Sequence, residues 1–189
     1  MHHSVAFLDA NVLYPAGLRS FLIYLALIGL FQPKWSKDVH EEWISNLLIN
    51  RPDLTRRQLE RTRRLMDKHT PGAVVKGYAS LIPGLTLPDP NDRHVLAAAI
   101  RAGANIIVTK NLRDFPLPNV QRFNIEPLHP DVFILHLIEL APGQVHDAAE
   151  AHRKSLKNPP LTVANYLSML EIQGIPRTAA ALRFLLTSQ

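Results

Sequence analysis

Four acidic residues from four separate segments are the candidates for chemistry in this sequence: Asp9, Glu42, Asp92 and Asp114. Carboxylate oxygens are the ligands that hard divalent cations such as Mg²⁺ and Mn²⁺ prefer. Several carboxylates in one pocket repel one another, and a bound dication removes that repulsion. Such an ion can activate water and stabilise the charge on a phosphate during in-line displacement. These residue types therefore predict metal-dependent phosphoryl chemistry, provided that the fold brings the four together.

Each acid also has an ordinary structural explanation. Asp9 could end a strand or form an Asx turn, and Asp114 could close a loop. Asp92 stands in a first helical turn, where the helix dipole favours an acid. Glu42 falls on an amphipathic helix with a solvated face, and periodicity alone does not separate it from Glu41. The joint placement of the acids, rather than any single one, indicates a metal site.

The predicted elements supply a way to bring the acids together. Apolar runs predict buried strands over Val5 to Leu8, directly before Asp9, and over residues 105–109, before Asn111 and Asp114. Another short strand is expected around residues 123–128. Helices are expected over residues 17–30, 36–48, 55–68 and 89–101, the last with Asp89 as its cap. Alternating strands and helices predict an α/β fold, a parallel sheet with helices on both faces, whose strand ends gather functional groups at one edge.

From Pro130 onward the pattern predicts helices only, in roughly four segments separated by proline- and glycine-containing breaks. We therefore predict two parts, residues 1–129 and an all-helical C-terminal extension over residues 130–189. Residues 161–180 contain a helix, a glycine turn and a second helix, as in DNA-reading motifs. The second helix is largely Ala, Leu and Phe, which favours packing against the main domain or a partner.

A cluster of arginines surrounds the third predicted helix, and Arg57, Arg61 and Arg64 are spaced to share one face. Such a face suits contacts with RNA phosphates. A solvated helix face with Glu60 as internal partner explains the spacing equally well, and an acidic protein patch is a third possible partner. The formal net charge of +5 favours an acidic partner, with nucleic acid first.

Composition excludes several other classes of chemistry and location. The chain has no cysteine, so it has no disulfide and no thiolate site. Its most apolar stretch, residues 21–31, is far shorter than the ~20 residues of a membrane span. No secretory signal is visible at the N-terminus, so a cytoplasmic protein without membrane insertion is expected. The nine histidines show no metal-ligand spacing, and none is assigned a role.

Three motifs resemble those of a known family. Phe7-Leu8-Asp9-Ala10-Asn11 is similar to the opening motif of PIN domains, and the helix that starts at Asp92 resembles the one that carries their third acid. Val108-Thr109-Lys110-Asn111-Leu112-Arg113-Asp114-Phe115 resembles their closing strand–loop motif. The resemblance covers residues 4–128 and points towards VapC-type toxins of toxin–antitoxin pairs. The helical tail is similar to an extension in one branch of them.

The resemblance implies a metal-dependent endoribonuclease with a PIN-like α/β/α sandwich. Asp9, Glu42, Asp92 and Asp114 would be its catalytic and metal-binding acids, with Mg²⁺ or Mn²⁺ as the ion. Asn11 and Thr109 would support the carboxylates. Asn111 stands where some relatives have an aspartate, and its amide oxygen can still reach a metal or orient a water. The expected partners are RNA, a cognate antitoxin and a second copy of the chain.

Two other functions compete with this one. The first is a non-catalytic nucleic-acid-binding regulator that uses the arginine helix and the tail. The second is a haloacid-dehalogenase-like phosphatase, because Asp9 ends one strand and Thr109 follows another. That chemistry needs a second aspartate two residues after the first, where this chain has Asn11.

Overall fold

The computed structural model describes residues 4–187, which form a five-stranded parallel sheet flanked by helices. The strands occur in the order β3-β2-β1-β4-β5. Their bounds are β1 Val5–Leu8, β2 Gln32–Ser36, β3 Val74–Val75, β4 Ile106–Val108 and β5 Glu126–Leu128. This architecture confirms the predicted α/β fold with a parallel sheet.

The α-helices connect and follow these strands. In the sheet region they are α1 Ala10–Leu13, α2 Ala16–Leu27, α3 Lys37–Asn50, α4 Arg56–His69, α5 Arg93–Arg101 and α6 Leu117–Val120. In the tail they are α7 Pro130–Leu140, α8 Pro142–Ser155, α9 Val163–Ile172 and α10 Pro176–Thr187. Short 3₁₀ turns cover Ala79–Gly84, Pro90–Asp92, Leu112–Asp114 and Gln121–Phe123.

The register of the two central strands positions the candidate site. Phe7 pairs with Ile107 and Leu8 pairs with Val108, so β1 and β4 end at the same level. These strands are fully apolar and their facing residues are buried, as expected for a sheet covered on both faces. Asp9 and Thr109, the residues that follow the two strands, therefore meet at one edge of the sheet.

The helix starts follow the capping signals in the sequence. The Ser36 hydroxyl accepts the N–H of Val39 at the start of α3. Thr55 and Gln58 form a capping box at the start of α4. These side chains satisfy N–H groups that a helix terminus leaves without partners. The Thr55–Gln58 spacing predicted α4, whereas α3 was predicted from the apolar spacing of Val39, Trp43 and Leu47.

Three local predictions were wrong. Helix α2 ends at Leu27 rather than Leu30, because the chain turns at Gly29 with φ of +80°. Strand β2 was not predicted, since its sequence Gln-Pro-Lys-Trp-Ser has no apolar run and contains a proline. The helix that begins at Asp89 opens as a 3₁₀ turn, and the α-helical part starts only at Arg93.

The helical tail shares a core with the sheet region. Helix α2 packs against α8 and α9, and α10 packs against α7, α8 and α9. The Phe21 ring of α2 stacks on His152 of α8, with centroids 5.8 Å apart, and meets Tyr166 of α9 edge-on. The last strand, β5, ends at Leu128, and the first tail helix, α7, begins at Pro130. The division into two separate domains at residues 129 and 130 stays a prediction. Within residues 4–187, none of the helices is both long and apolar enough to cross a membrane.

Candidate active site

Asp9 is the most deeply buried of the four candidate acids, with 5% of its surface exposed. It stands directly after β1 and caps α1, where its Oδ1 accepts the N–H of Ala10 at 2.7 Å. Burial raises the pKa of the Asp9 carboxyl, and the hydrogen bonds that it accepts oppose this effect. The carboxylate is thus held in one orientation at the edge of the sheet.

Two polar side chains fix the second oxygen of Asp9. Thr109 Oγ1 donates to Asp9 Oδ2 at 2.7 Å, and Asn11 Nδ2 donates to the same oxygen at 2.6 Å. Asn11 Nδ2 also lies 3.0 Å from Thr109 Oγ1, and Asn11 Oδ1 accepts the N–H of Lys110. Asn11 and Thr109, predicted as supporting residues, therefore contact Asp9 directly.

Glu42 and Asp92 belong to the same electrostatic cluster. Burial, followed by the negative charges of Asp9 and Asp92, raises the pKa of Glu42 to about 7. Burial, followed by the charges of Asp9, Asp114 and Asp89, raises the pKa of Asp92 to about 6. The fold thus brings carboxylates from four distant segments close enough to repel one another.

The structure separates the two adjacent glutamates of α3. Glu41 pairs with Arg56 of α4 at 2.8 Å, and this partner lowers the pKa of Glu41. Glu42 instead lies close enough to Asp9 and Asp92 for their negative charges to raise its pKa. The open cleft beside α3 is lined by Asp38, Glu41, Glu42, Ser45, Asn91, Asp92 and His94. Geometry therefore favours Glu42 over Glu41 as a site residue.

Asp114 and Asn111 lie on the loop that follows β4. The Asp114 side chain is 20% exposed and lies 3.8 Å from the Arg113 guanidinium. The backbone N–H of Asn111 donates to Thr109 Oγ1 at 3.0 Å. The Asn111 side chain is exposed and forms no hydrogen bond with the residues that the structure describes. Asp114 thus joins the cluster through Asp92, whereas Asn111 contributes only its backbone.

The donor set has the chemistry that a hard dication requires. Its oxygens are carboxylates, and the raised pKa values of Glu42 and Asp92 reflect in part a negative charge that a cation would offset. Within residues 4–187, no three acidic or histidine side chains are close enough to form a complete metal site. Binding an ion would therefore require the carboxylates to move together from the positions that they have here.

His94 is a neighbour of this cluster that the sequence analysis did not identify. Its Nε2 lies 3.8 Å from Glu42 Oε2, and burial lowers its pKa. Its Nδ1 is buried and has no hydrogen-bond partner in the described part of the chain. Its place two residues after Asp92, in the first turn of α5, was the only signal that could have indicated this position.

The arginine helix α4 lies beside α3. Arg57, Arg61 and Arg64 are all exposed, and none forms an ion pair with another residue between 4 and 187. Glu60 lies within 3.0 Å of Arg63 and 3.9 Å of Arg56 instead. Glu60, the acid expected to pair with the face formed by Arg57, Arg61 and Arg64, therefore pairs with Arg56 and Arg63.

Comparison with known proteins assigns this chain to a family. A family model described as PIN domain matches residues 5–113, more than half of the chain and three of the four candidate acids. The chain belongs to the PIN-domain family. A second family model, described as VapC50 C-terminal domain, matches residues 130–184 of the helical tail. Both matches agree with the resemblance seen in the sequence.

One curated relative extends this comparison. The PIN-domain chain is 37% identical over 112 residues to the protein named "Putative ribonuclease VapC50" from Mycobacterium tuberculosis (strain ATCC 25618 / H37Rv). The matched part covers 59% of this chain and 65% of the relative, slightly less than two thirds of the relative's length. No solved structure matches the chain.

Proposed function

We propose that this PIN-domain chain is a metal-dependent endoribonuclease that hydrolyses RNA phosphodiester bonds, with Mg²⁺ or Mn²⁺ as its ion. The observation that carries the proposal is the convergence of Asp9, Glu42, Asp92 and Asp114 at one edge of a parallel sheet. Burial, followed by the charges of neighbouring acids, raises the pKa values of Glu42 and Asp92, and a bound cation would offset this negative charge. The similar protein from Mycobacterium tuberculosis bears the name "Putative ribonuclease VapC50", which supports the same activity.

The four acids would hold the ion, and the neighbouring polar groups would hold the acids. A bound Mg²⁺ or Mn²⁺ supplies a water of lowered pKa and stabilises negative charge on the phosphate. Thr109 and Asn11 keep Asp9 oriented by donating to its Oδ2. Asn111, on the loop after β4, would be a further candidate through its amide oxygen. Membership of the PIN-domain family implies that water would attack the phosphorus directly, without a covalent enzyme intermediate.

We further propose that the protein acts as a toxin whose ribonuclease activity a cognate antitoxin neutralises. The VapC names of the tail family and of the relative support this role. Exposed Arg57, Arg61 and Arg64 would contact RNA phosphates. The cytoplasmic location and the homodimer expected from the sequence stay predictions.

The decisive experiment compares RNA cleavage by the wild type, Asp92→Ala and Asp53→Ala with Mg²⁺ or Mn²⁺, and with EDTA. Asp53 is the control, because it is an exposed aspartate whose carboxylate pairs with Arg51 between α3 and α4. We expect Asp92→Ala and EDTA each to abolish cleavage, and Asp53→Ala to retain it. Circular dichroism and thermal melting confirm that the variants are folded. Cleavage that survives both EDTA and Asp92→Ala would refute the proposal.

The alternative function is a non-catalytic nucleic-acid-binding regulator. The exposed arginines of α4 favour it, as does the spacing of the acids, which is too wide for a ready metal site among residues 4–187. A wild type that binds RNA but cleaves none across diverse substrates would support this alternative. The phosphatase hypothesis lacks its second aspartate, since Asn11 occupies that position.

A further inference from the structure

The turn between α9 and α10 leaves one backbone carbonyl without a partner inside the turn, and the side chain of Lys110 donates a hydrogen bond to it. Helix α9 ends in a Schellman motif: Gly174 has φ of +94°, its N–H donates to Glu171, and the Ile175 N–H donates to Leu170. The carbonyl of Gln173 is left free by this motif. The Lys110 ammonium donates to it at 2.7 Å, which places a cation at the negative end of the helix dipole.

Lys110 connects this turn to the residues that hold Asp9. It directly follows Thr109, whose hydroxyl donates to Asp9 Oδ2. Its own backbone N–H donates to Asn11 Oδ1 at 2.9 Å, and Asn11 Nδ2 also donates to Asp9. The side-chain ammonium of Lys110 is therefore bonded to the tail, and its backbone N–H is bonded to Asn11, one of the two residues that donate to Asp9.

The Gln173 side chain makes a second connection to the sheet region. Its Oε1 accepts the N–H of Leu18 at 2.6 Å in the first turn of α2, where Pro15 provides no side-chain cap. Gly17 leaves the space for this contact, because a Cβ there would lie 2.8 Å from the Gln173 amide nitrogen. Helix α2 follows α1, which Asp9 itself caps.

The tail holds the turn rigidly from its own side. Asp131 of α7 is buried and accepts the N–H groups of Arg177 at 3.0 Å and Thr178 at 2.7 Å, at the start of α10. Charge-assisted hydrogen bonds of this kind fix the first turn of a helix. The turn before α10 thus has a defined position relative to the rest of the tail.

We propose that the Gln173–Gly174 turn of the helical tail is a positioning element of the acid site, acting through Lys110. The turn fixes Lys110, Lys110 fixes Asn11 and Thr109, and these two orient the Asp9 carboxylate for metal binding. This inference rests on the proposed metal-dependent function. Lys110 and Gln173 are positioning residues that need not touch the ion or the RNA.

The test measures Mn²⁺ affinity directly, by calorimetry, alongside cleavage. Lys110→Met removes the ammonium donor and keeps an unbranched side chain. We expect Mn²⁺ affinity to fall about 10-fold or more, as is usual when residues that support metal ligands are changed. A purely electrostatic role for Lys110 predicts the opposite sign, because loss of a nearby positive charge would strengthen cation binding. Unchanged or tighter Mn²⁺ binding therefore overturns the inference.

A lysine away from the site serves as the matched control. Lys34 Nζ donates to the carbonyl of Gly72 at 2.7 Å, before β3, which is the same type of bond at the same length. Lys34→Met should leave Mn²⁺ affinity within about 2-fold of the wild type. An equal loss in Lys34→Met and Lys110→Met would show a general effect of removing such a bond and would overturn the inference.

Gln173→Ala provides a test in which the charge near the site does not change. It removes the side-chain oxygen that accepts the Leu18 N–H, and it leaves the backbone carbonyl that Lys110 contacts in place. We expect Mn²⁺ affinity to fall in Gln173→Ala. Thermal melting identifies any variant that unfolds, and Lys110→Met then decides the question alone. A wild type that cleaves and binds Mn²⁺ while every folded variant matches it overturns only this inference, whereas a wild type that does neither overturns the proposed function as well.

Discussion

Thr109 donates a 2.7 Å hydrogen bond to Asp9 across 100 positions of sequence. Thr109 is fully buried and Asp9 almost so, which means that neither group can exchange this partner for water. The bond exists because β1 and β4 are adjacent parallel strands that end at the same level. The order of the strands in the sheet therefore determines how the Asp9 carboxylate is oriented.

Removal of this hydroxyl should damage both the fold and the site. In Thr109→Val, Asp9 loses a donor and Asn11 and Asn111 lose an acceptor. We expect a loss of about 1–3 kcal/mol of stability, typical of buried polar groups left unsatisfied. Mn²⁺ affinity should also fall by about 10–100-fold. Urea unfolding and calorimetry measure the two effects.

Thr109→Ser is the control, because it retains the hydroxyl and loses only a methyl group. Its Mn²⁺ affinity should remain within a few-fold of the wild type. An equal loss of affinity in the serine and valine variants would show that the hydroxyl does not orient Asp9.

Much of the fold and part of the site could be predicted because the signals were local. The apolar runs at Val5 and Ile106 end immediately before Asp9 and Thr109, and strand ends in a parallel sheet meet at one edge. The Thr55–Gln58 capping box predicted α4, and the apolar spacing of Val39, Trp43 and Leu47 predicted α3. Such features depend on neighbours in sequence, which a single chain displays.

The remaining features depend on contacts between distant segments. Glu41 and Glu42 are distinguished by their partners from distant segments, since Arg56 of α4 contacts Glu41 whereas Asp9 and Asp92 act on Glu42. The link from Lys110 to Gln173 requires the tail to pack against the sheet region. β2 lacks an apolar alternation, and it is a strand because β1 and β3 pair with it on either side. No local pattern could show these contacts.

The two glutamates of α3 offer a matched pair for the assignment of the acid site. Glu42→Gln removes a carboxylate that faces Asp9 and Asp92, so we expect RNA cleavage to fall by 100-fold or more, on the order of one lost metal ligand or its electrostatic equivalent. Glu41→Gln removes a surface partner of Arg56, and surface ion pairs contribute about 0–1 kcal/mol. Its cleavage rate should remain within a few-fold of the wild type. A larger loss in Glu41→Gln than in Glu42→Gln would reverse the assignment.

The raised pKa of Asp92 predicts how the stability of the metal-free protein depends on pH. Burial and neighbouring acids raise this pKa to about 6, whereas an aspartate in an unfolded chain titrates near ~3.9. Between these values the folded state binds the additional proton, so the stabilising contribution is lost as pH rises from about 4 to 6. Asp92→Asn cannot ionise, and its side chain makes no capping bond that would be lost. We expect its Tm at pH 7 without metal to exceed that of the wild type by about 2–4 °C.

Thermal melting over pH 4 to 8 in EDTA measures this effect. Asp53→Asn is the control, because Arg51 holds the pKa of the exposed Asp53 below its usual value, the opposite direction. This variant should not gain stability at pH 7. Added Mn²⁺ should raise the Tm of the wild type more than that of Asp92→Asn, since only a ligand that binds the folded state stabilises it. A Tm for Asp92→Asn at or below the wild-type value at every pH would contradict the raised pKa of Asp92.

The exposed arginines of α4 predict that the affinity for RNA depends on salt concentration. Simultaneous change of Arg57, Arg61 and Arg64 to glutamine should raise KM and leave kcat nearly unchanged, because phosphate contacts position the substrate without entering the chemistry. The slope of log KM against log salt should decrease by about 0.7 for each lost contact with single-stranded RNA. The control triple variant carries Arg51→Gln, Arg122→Gln and Arg183→Gln. It changes the net charge equally, but its arginines contact Asp53, Phe123 and Glu171. Equal changes of KM in both triple variants would show that the overall charge, rather than this helix face, determines the affinity for RNA. An unchanged KM in the first triple variant would show that Arg57, Arg61 and Arg64 face solvent or a protein partner instead of RNA.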